Sequence, residues 1–303
     1  MSAPAAPPLP ALLALFVANV ALAFGPWFVR LADTGPVASA FWRITLAAPI
    51  LLAAALGTGW RPTGLRRGLW AMLMIAGVCF AADLASWHIG ILRTTLANAT
   101  LFGNSATLMF PIYGFVAARA LPRRMQAIAL ALAAVGGALL MGQSYTLDPR
   151  HLVGDLLCLL AGILYTVYFI FMARARAAMA PLPALALSTI ASIVPLGLFA
   201  LALGERIMPH HWGPLIGLAL ASQLLGQGMM IYALGQLSPL IVGIGLLTQP
   251  IVAGTVGWIV YGERLGPADL AGAVLVAVAL VLVGRPERVA PAPAGVKTTA
   301  GDE

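Results

Sequence analysis

Apolar and polar positions along this chain alternate on the scale of whole helices, not of single turns. Ten apolar runs, at 10–29, 36–56, 69–91, 96–118, 125–141, 154–173, 183–203, 212–234, 239–261 and 267–283, are divided by short stretches of Arg, Pro and Gly. A helix needs about 20 apolar residues to cross a hydrocarbon core of about 30 Å. Runs of this length make the spanning element the helix. The pattern predicts an all-α integral membrane protein with ten transmembrane helices.

The runs repeat. Stretch 229–265, broken by Pro239 and Pro250 and closed by Gly262-Glu263-Arg264, reappears 144 positions earlier as 85–121. Trp87 and His88 then fall on Ile231 and Tyr232, Ala106 on Pro250, Ala118-Arg119 on Gly262-Glu263, and Leu121 on Leu265. The same offset puts Arg30 on Arg174 and Phe24 on Tyr168. The chain thus divides into an N-terminal segment 1–9, a first repeat 10–142, a connector 143–153, a second repeat 154–284 and a tail 285–303 expected to be disordered. Five spans per half is an odd number, so the second half starts from the opposite side and the repeats are expected to be inverted. With a cytoplasmic N-terminus, eleven Lys and Arg fall in inside loops and the tail against five in outside loops, which puts both termini in the cytoplasm.

Composition narrows the class. Of 303 residues 61% are hydrophobic and 9% charged, against about 25% charged in soluble domains. The spans use nearly the whole length and leave no room for a soluble catalytic domain. A net charge of +7 would suggest nucleic acid in a soluble chain, but here the arginines mark topology and no nucleic-acid partner is expected. Cys79 and Cys158 lie inside apolar runs and read as small filler. Ala21-Leu22-Ala23 resembles a signal cleavage site, but no Lys or Arg precedes it and the apolar run continues to Val29, so the segment reads as a first span. No nucleophile–base pair, metal-ligand spacing, cofactor motif or phosphate loop is visible, and no ATP hydrolysis is expected.

Polar residues inside the spans carry the candidate chemistry. Arg43 and Asp83 sit at similar depth on consecutive spans, about 10 Å and 15 Å from the same face at 1.5 Å per residue. Ionisable groups in hydrocarbon are costly, so two readings of a pair follow. The pair locks the second and third spans together, or Asp83 exchanges a proton or a substrate ammonium for Arg43 during a cycle; the remaining alternative is that the two never meet. His88, nearer the span end, reads as interfacial. Asn19, Asn104, Ser105, Gln223 and Gln249 lie near the centres of their spans, as do Tyr165 and Thr166. An amide facing lipid has no partner, so these should face inward and line one cavity. Trp87, Tyr168, Gln227, Tyr232 and Trp258 are its candidate walls. The alternative is that the amides only join helices by hydrogen bonds.

Ten spans in two halves, together with Phe24-Gly25, Arg43, Leu101 to Ala106, Gly154-Asp155, Tyr165 to Tyr168, Ala233-Leu234, Pro250, Gly262-Glu263-Arg264-Leu265 and Gly272, resemble the EamA-type family of the drug/metabolite transporter superfamily. The resemblance covers roughly residues 10–284. It implies solute transport by alternating access, often export. Two departures stand out: Ala106 where the family usually has proline, and Arg119 where it usually has glutamate.

Together these point to a secondary transporter, and not an enzyme, that moves a small amphipathic solute such as an amino acid across a bacterial-type inner membrane, with Asp83 a candidate for proton coupling. Few buried cations argue against a highly charged anion as solute. A lipid-modifying membrane enzyme would need acids or histidines clustered at one interface. A non-transporting scaffold would need no ring of midplane amides.

Overall fold

A computed structural model describes residues 7–94, 102–142, 149–261 and 266–284. Among the described residues the chain is all-helical, with no strand. The helices are α1 (Leu9–Ala23), α2 (Gly25–Leu31), α3 (Pro36–Gly57), α4 (Arg67–Ile91), α5 (Ala106–Ala117), α6 (Arg124–Gly142), α7 (Leu152–Arg176), α8 (Pro181–Ala202) and α9 (Gly213–Leu218). A π-helical segment (Ala219–Gln227) joins α9 to α10 (Gly228–Leu234), and α11 (Pro239–Leu246), α12 (Thr248–Tyr261) and α13 (Pro267–Gly284) follow. Six stretches are long and apolar enough to cross a bilayer: Leu9–Val29, Pro36–Gly57, Arg67–Ile91, Leu152–Arg176, Pro181–Ala202 and Gly213–Leu234. Shorter apolar helices lie at Ala106–Ala117, Arg124–Leu139, Pro239–Val252 and Leu270–Val283. The protein is a multi-pass membrane protein.

Local sequence explains where helices start and break. Proline opens α3, α8, α11 and α13, at positions where its missing N–H costs nothing. Ser238 caps α11 by accepting from the Ile241 N–H at 3.4 Å. Gly25-Pro26 divides α1 from α2, and Pro250, unable to donate to Leu246, follows the break at Leu247 between α11 and α12.

The most extensive contacts join the two halves: α4 with α7, α6 with α13, α3 with α8, α5 with α11, and α1 with α10 and the π-helical segment. Small residues let these helices approach. A Cβ at Gly136 would sit 2.9 Å from the Gly272 carbonyl oxygen of α13. Gly77 faces Ala191 and the Ser188 carbonyl of α8, and Ser192 Oγ donates to the Gly77 carbonyl at 2.7 Å. Apolar residues such as Leu13, Phe16, Val78, Leu198 and Val278 are exposed around the outside, as suits a lipid-facing surface.

At the α3 N-terminus the loops of both halves are bonded together. Glu205 Oε2 accepts from the Ala38 N–H at 2.8 Å, the Gly35 N–H donates to the Arg206 carbonyl at 3.0 Å, and Trp42 Nε1 donates to the Ile207 carbonyl at 2.7 Å. A carboxylate here satisfies an orphan donor of α3 and meets the positive end of its dipole.

Gly77→Leu should destabilise the protein by about 1–3 kcal/mol, because the new side chain must displace α8. Gly68→Leu, at the open start of the same helix with nothing within 4 Å of its Cβ position, should be neutral. Thermal unfolding of the two variants in detergent compares them directly.

Candidate functional site

A cavity of about 130 Å³ lies inside the bundle. A water needs about 10–15 Å³ in this measure, so the space suits a molecule of several heavy atoms. Its wall is made by Leu22 to Val29 around the α1–α2 break, by one face of α4, by the turn before α5, by Tyr165 of α7, by Leu218 and Gln227 at the two ends of the π-helical region, and by Leu246, Gln249 and Pro250 at the α11–α12 break. Among the described residues, the irregular stretches of backbone within the spans border this space. That is expected in lipid, where broken helices are tolerated only if they are buried in protein or line a cavity.

Arg43 projects from α3 into the wall and is 5% exposed. Its Nε–H donates to Gln223 Oε1 at 3.1 Å, and Nη2 lies 3.5 Å from the Ser222 carbonyl. Gln223 Nε2 donates to Thr189 Oγ1 at 3.1 Å, which fixes the amide with its oxygen toward Arg43. The guanidinium carbon stands 5.7 Å from the Phe80 ring centre, within cation–π range.

Asp83 lines the same cavity from α4, and among the described residues no hydrogen bond or ion pair engages its carboxylate. The direct Arg43–Asp83 pair, the first of the two readings above, is therefore not made in this conformation. The reason is geometric: Gln223 and the Ser222 carbonyl hold the guanidinium on the side of the π-helical segment.

The other sequence candidates separate by direction more than by depth. Trp87, Asn104, Tyr165, Gln227 and Gln249 line the cavity. Gln227 Nε2 donates to the Tyr165 hydroxyl at 3.1 Å. Asn19 does not reach the space; it is fully buried behind it, accepting from Gln249 Nε2 at 2.9 Å and donating to the Leu15 carbonyl at 2.7 Å. Gln223 likewise stands behind Arg43. Ser105 points away, with its hydroxyl against Gly162 of α7. Tyr168 is fully buried and stacks on Phe80 at 4.6 Å, outside the wall. Tyr232 instead lines a shallow apolar groove with Pro10, Leu13, Ala14, Val17 and Met229. Thr166 turns back to the Gly162 carbonyl at 2.8 Å. Trp258 lies on α12, its side chain outside the described residues.

His88 is a correction. It is 1% exposed and lines the cavity, so it is not an interfacial residue. Nδ1 lies 2.7 Å from the Pro36 carbonyl and 3.3 Å from Ser39 Oγ, whereas Nε2 is buried without a partner. A carbonyl can only accept, so Nδ1 carries a proton and donates it to Pro36. The signal was present in the sequence: Phe80, Asp83, Leu84, Trp87 and His88 follow the i, i+3, i+4, i+7, i+8 spacing of a single helix face.

Beyond the cavity an aromatic stack fills the bundle toward the C-terminal end of α7. Tyr165 meets Phe169 at 4.2 Å, Phe169 meets Phe110 at 5.4 Å, and Phe110 meets Tyr113 at 6.3 Å. Arg174 closes it, donating to the Tyr113 hydroxyl at 3.0 Å.

These placements are open to chemical labelling. In a Cys79→Ser, Cys158→Ala background, Asn104→Cys and Gln227→Cys should react with a water-soluble thiol reagent about tenfold faster than Ser105→Cys and Tyr168→Cys, since only the exposed thiolate reacts. Equal rates would place all four on the same surface.

Comparison with known proteins agrees with this architecture. Residues 152–285 match the EamA-like transporter family. A protein of Archaeoglobus fulgidus named as an uncharacterized transporter is 26% identical over 145 residues, which are 46% of this chain and 48% of that protein. The match thus spans about half the length of that relative. A crystal structure 15% identical to this chain superposes on it with a TM-score of 0.73, over 90% of this chain and 97% of the other, and shows the shared fold. The second repeat read from the sequence, residues 154–284, thus falls inside the stretch that is similar to the EamA-like transporter family.

Proposed function

We propose that the protein is a secondary transporter that exports a small amphipathic metabolite, such as an amino acid, by alternating access around the central cavity. One observation carries this reading. A cavity with Arg43, Asp83, His88, Asn104, Gln227 and Gln249 on a mainly apolar wall sits inside the bundle, and among the described residues each helix that breaks does so against it. A bundle with no solute to move gains nothing from interrupting its helices there.

Alternating access needs two halves that rock about a shared site, and helix boundaries support such halves. Shifted by 144 positions, α3 falls on α8, α4 on the α9-to-α10 span, α6 on α13, and the end of α5 at Ala117 falls on the end of α12 at Tyr261. Contacts exchange in the same way: α4 with α7 has its counterpart in α10 with α1, whereas α3–α8 and α6–α13 map onto themselves. This is the behaviour of a two-fold repeat, and five spans per copy make it an inverted one. With Arg-rich loops in the cytoplasm, both termini lie inside a bacterial-type inner membrane.

In this orientation the cavity occupies the outer half of the bundle and the aromatic stack closes the inner half. Transport then requires that Phe110, Tyr113 and Phe169 separate while the bonded loops around Glu205 close over the solute. Aromatic and amide groups on the wall suit an apolar body with a polar head. Asp83 is the group placed to exchange a proton or a solute ammonium.

A flux screen of amino acids and small metabolites in proteoliposomes, with and without a pH gradient, tests the reading. Flux of at least one amphipathic solute is expected; no flux for any solute would overturn transport. Asp83→Asn should abolish the response to the pH gradient, and full transport with unchanged pH dependence would remove Asp83 from the coupling.

A further inference from the structure

Arg43 and Asp83 are 5% and 9% exposed, opposite in charge, and on the wall of one cavity, yet they do not bond to each other. Two opposite buried charges on one cavity wall would ordinarily close into a pair, since a buried charge left without a partner in a low dielectric is strongly disfavoured. Something keeps them apart. Arg43 gives its Nε–H to Gln223 and approaches the Ser222 carbonyl with Nη2, and both partners belong to the π-helical segment Ala219–Gln227. Single turns of π-helix are uncommon and frequent at functional sites. Gln223 is itself held from behind by Thr189 of α8, so it cannot follow Arg43 toward α4 without losing that bond. The same segment ends at Gln227, which fixes the Tyr165 hydroxyl on the opposite part of the wall.

We propose that Gln223 is a positioning residue that holds Arg43 away from Asp83, so that a solute carrying both a carboxylate and an ammonium group is received between them, carboxylate on Arg43 and ammonium on Asp83. This rests on the transport reading above and specifies its solute class. The hydrogen-bond inventory fits. A guanidinium has five N–H donors, and with Nε and one Nη2 proton engaged, Nη1 and the second Nη2 proton remain. The Asp83 carboxylate keeps all of its acceptor positions. A neutral solute would leave the remaining N–H donors of Arg43 and the Asp83 carboxylate without partners, and a simple anion or amine would leave one of the two without. Sites built on buried polar partners reject analogues that lack the matching group far more strongly than apolar pockets reject a missing methylene. Leu22, Val29, Leu84 and Trp87 supply the apolar surroundings for the rest of the molecule.

The test is uptake of a mixture of radiolabelled leucine, alanine and phenylalanine into proteoliposomes. Unlabelled leucine, leucinamide, 3-methylbutylamine and 4-methylpentanoate are the competitors. Only leucine should compete in the wild type. Asp83→Asn should let 4-methylpentanoate compete, because the ammonium receiver is gone. Gln223→Leu should raise the KM for the labelled amino acids about tenfold with little change in maximal rate, the loss of one charged hydrogen bond. In the Asp83→Asn background, adding Gln223→Leu should leave competition by 4-methylpentanoate as strong as in Asp83→Asn alone, because Arg43 then has no carboxylate to fall back on. A merely structural Gln223 would weaken that competition about tenfold in this background too. Competition by leucinamide or the amine in the wild type, or an unchanged KM in Gln223→Leu, overturns the inference and leaves transport standing. Flux of other solutes without flux of the amino-acid mixture does the same. Absence of flux for every solute overturns the transport reading and this inference with it.

Discussion

Hydrocarbon offers the backbone no hydrogen bonds, and this governs the molecule more than any single contact. A helix that crosses it must stay whole or be broken where protein or a cavity supplies what lipid cannot. Interruptions at Gly25-Pro26, at Asn104-Ser105 before α5, along Ala219–Gln227 and at Leu247 all converge on one space inside the bundle. The site is therefore the place where irregular backbone is permitted. Its side chains follow from that: freed carbonyls such as that of Ser222 become available to a guanidinium, and amides such as Gln249 and Gln227 find partners across helices.

The same constraint explains what could be read from sequence. Bilayer thickness fixes helix length, so span boundaries follow from apolar runs and loop prolines to within a few residues. Depth is readable too, since rise per residue is constant: counting inward puts Asn104, Tyr165 and Gln249 near the centres of their spans, and all three line the cavity. Rotation about the helix axis is another matter. Lipid and protein interior are both apolar, so the faces of a spanning helix look alike in sequence. Asn104 and Ser105 are adjacent at one depth, yet one meets the cavity and the other meets Gly162. Tyr165 and Tyr168 are one turn apart, yet only the first reaches the wall. Tyr232, at the depth of a loop end, faces the membrane groove.

His88 shows the converse. Judged by depth alone it looks interfacial, because it lies three residues from the end of α4. Its direction, shared with Asp83 and Trp87, turns it inward, where Pro36 at the opening of α3 supplies the carbonyl it needs. Helix-start prolines at this end thus serve twice: they begin a span, and the carbonyls beside them are left to bind side chains from neighbours.

The division of the sequence near residue 143 is not a division of the folded object. Its heaviest packing joins helices before that point to helices after it: α3 rests on α8, α4 on α7 and α8, and α6 on α13. Neither half has a core of its own. Separated from its partner, each would turn the faces around Gly77, Gly90 or Gly136, shaped to meet another helix backbone, toward lipid that cannot fill them. The helices before residue 143 therefore reach their final packing only once α7 and α8 are in place, and that packing is an event of the second half.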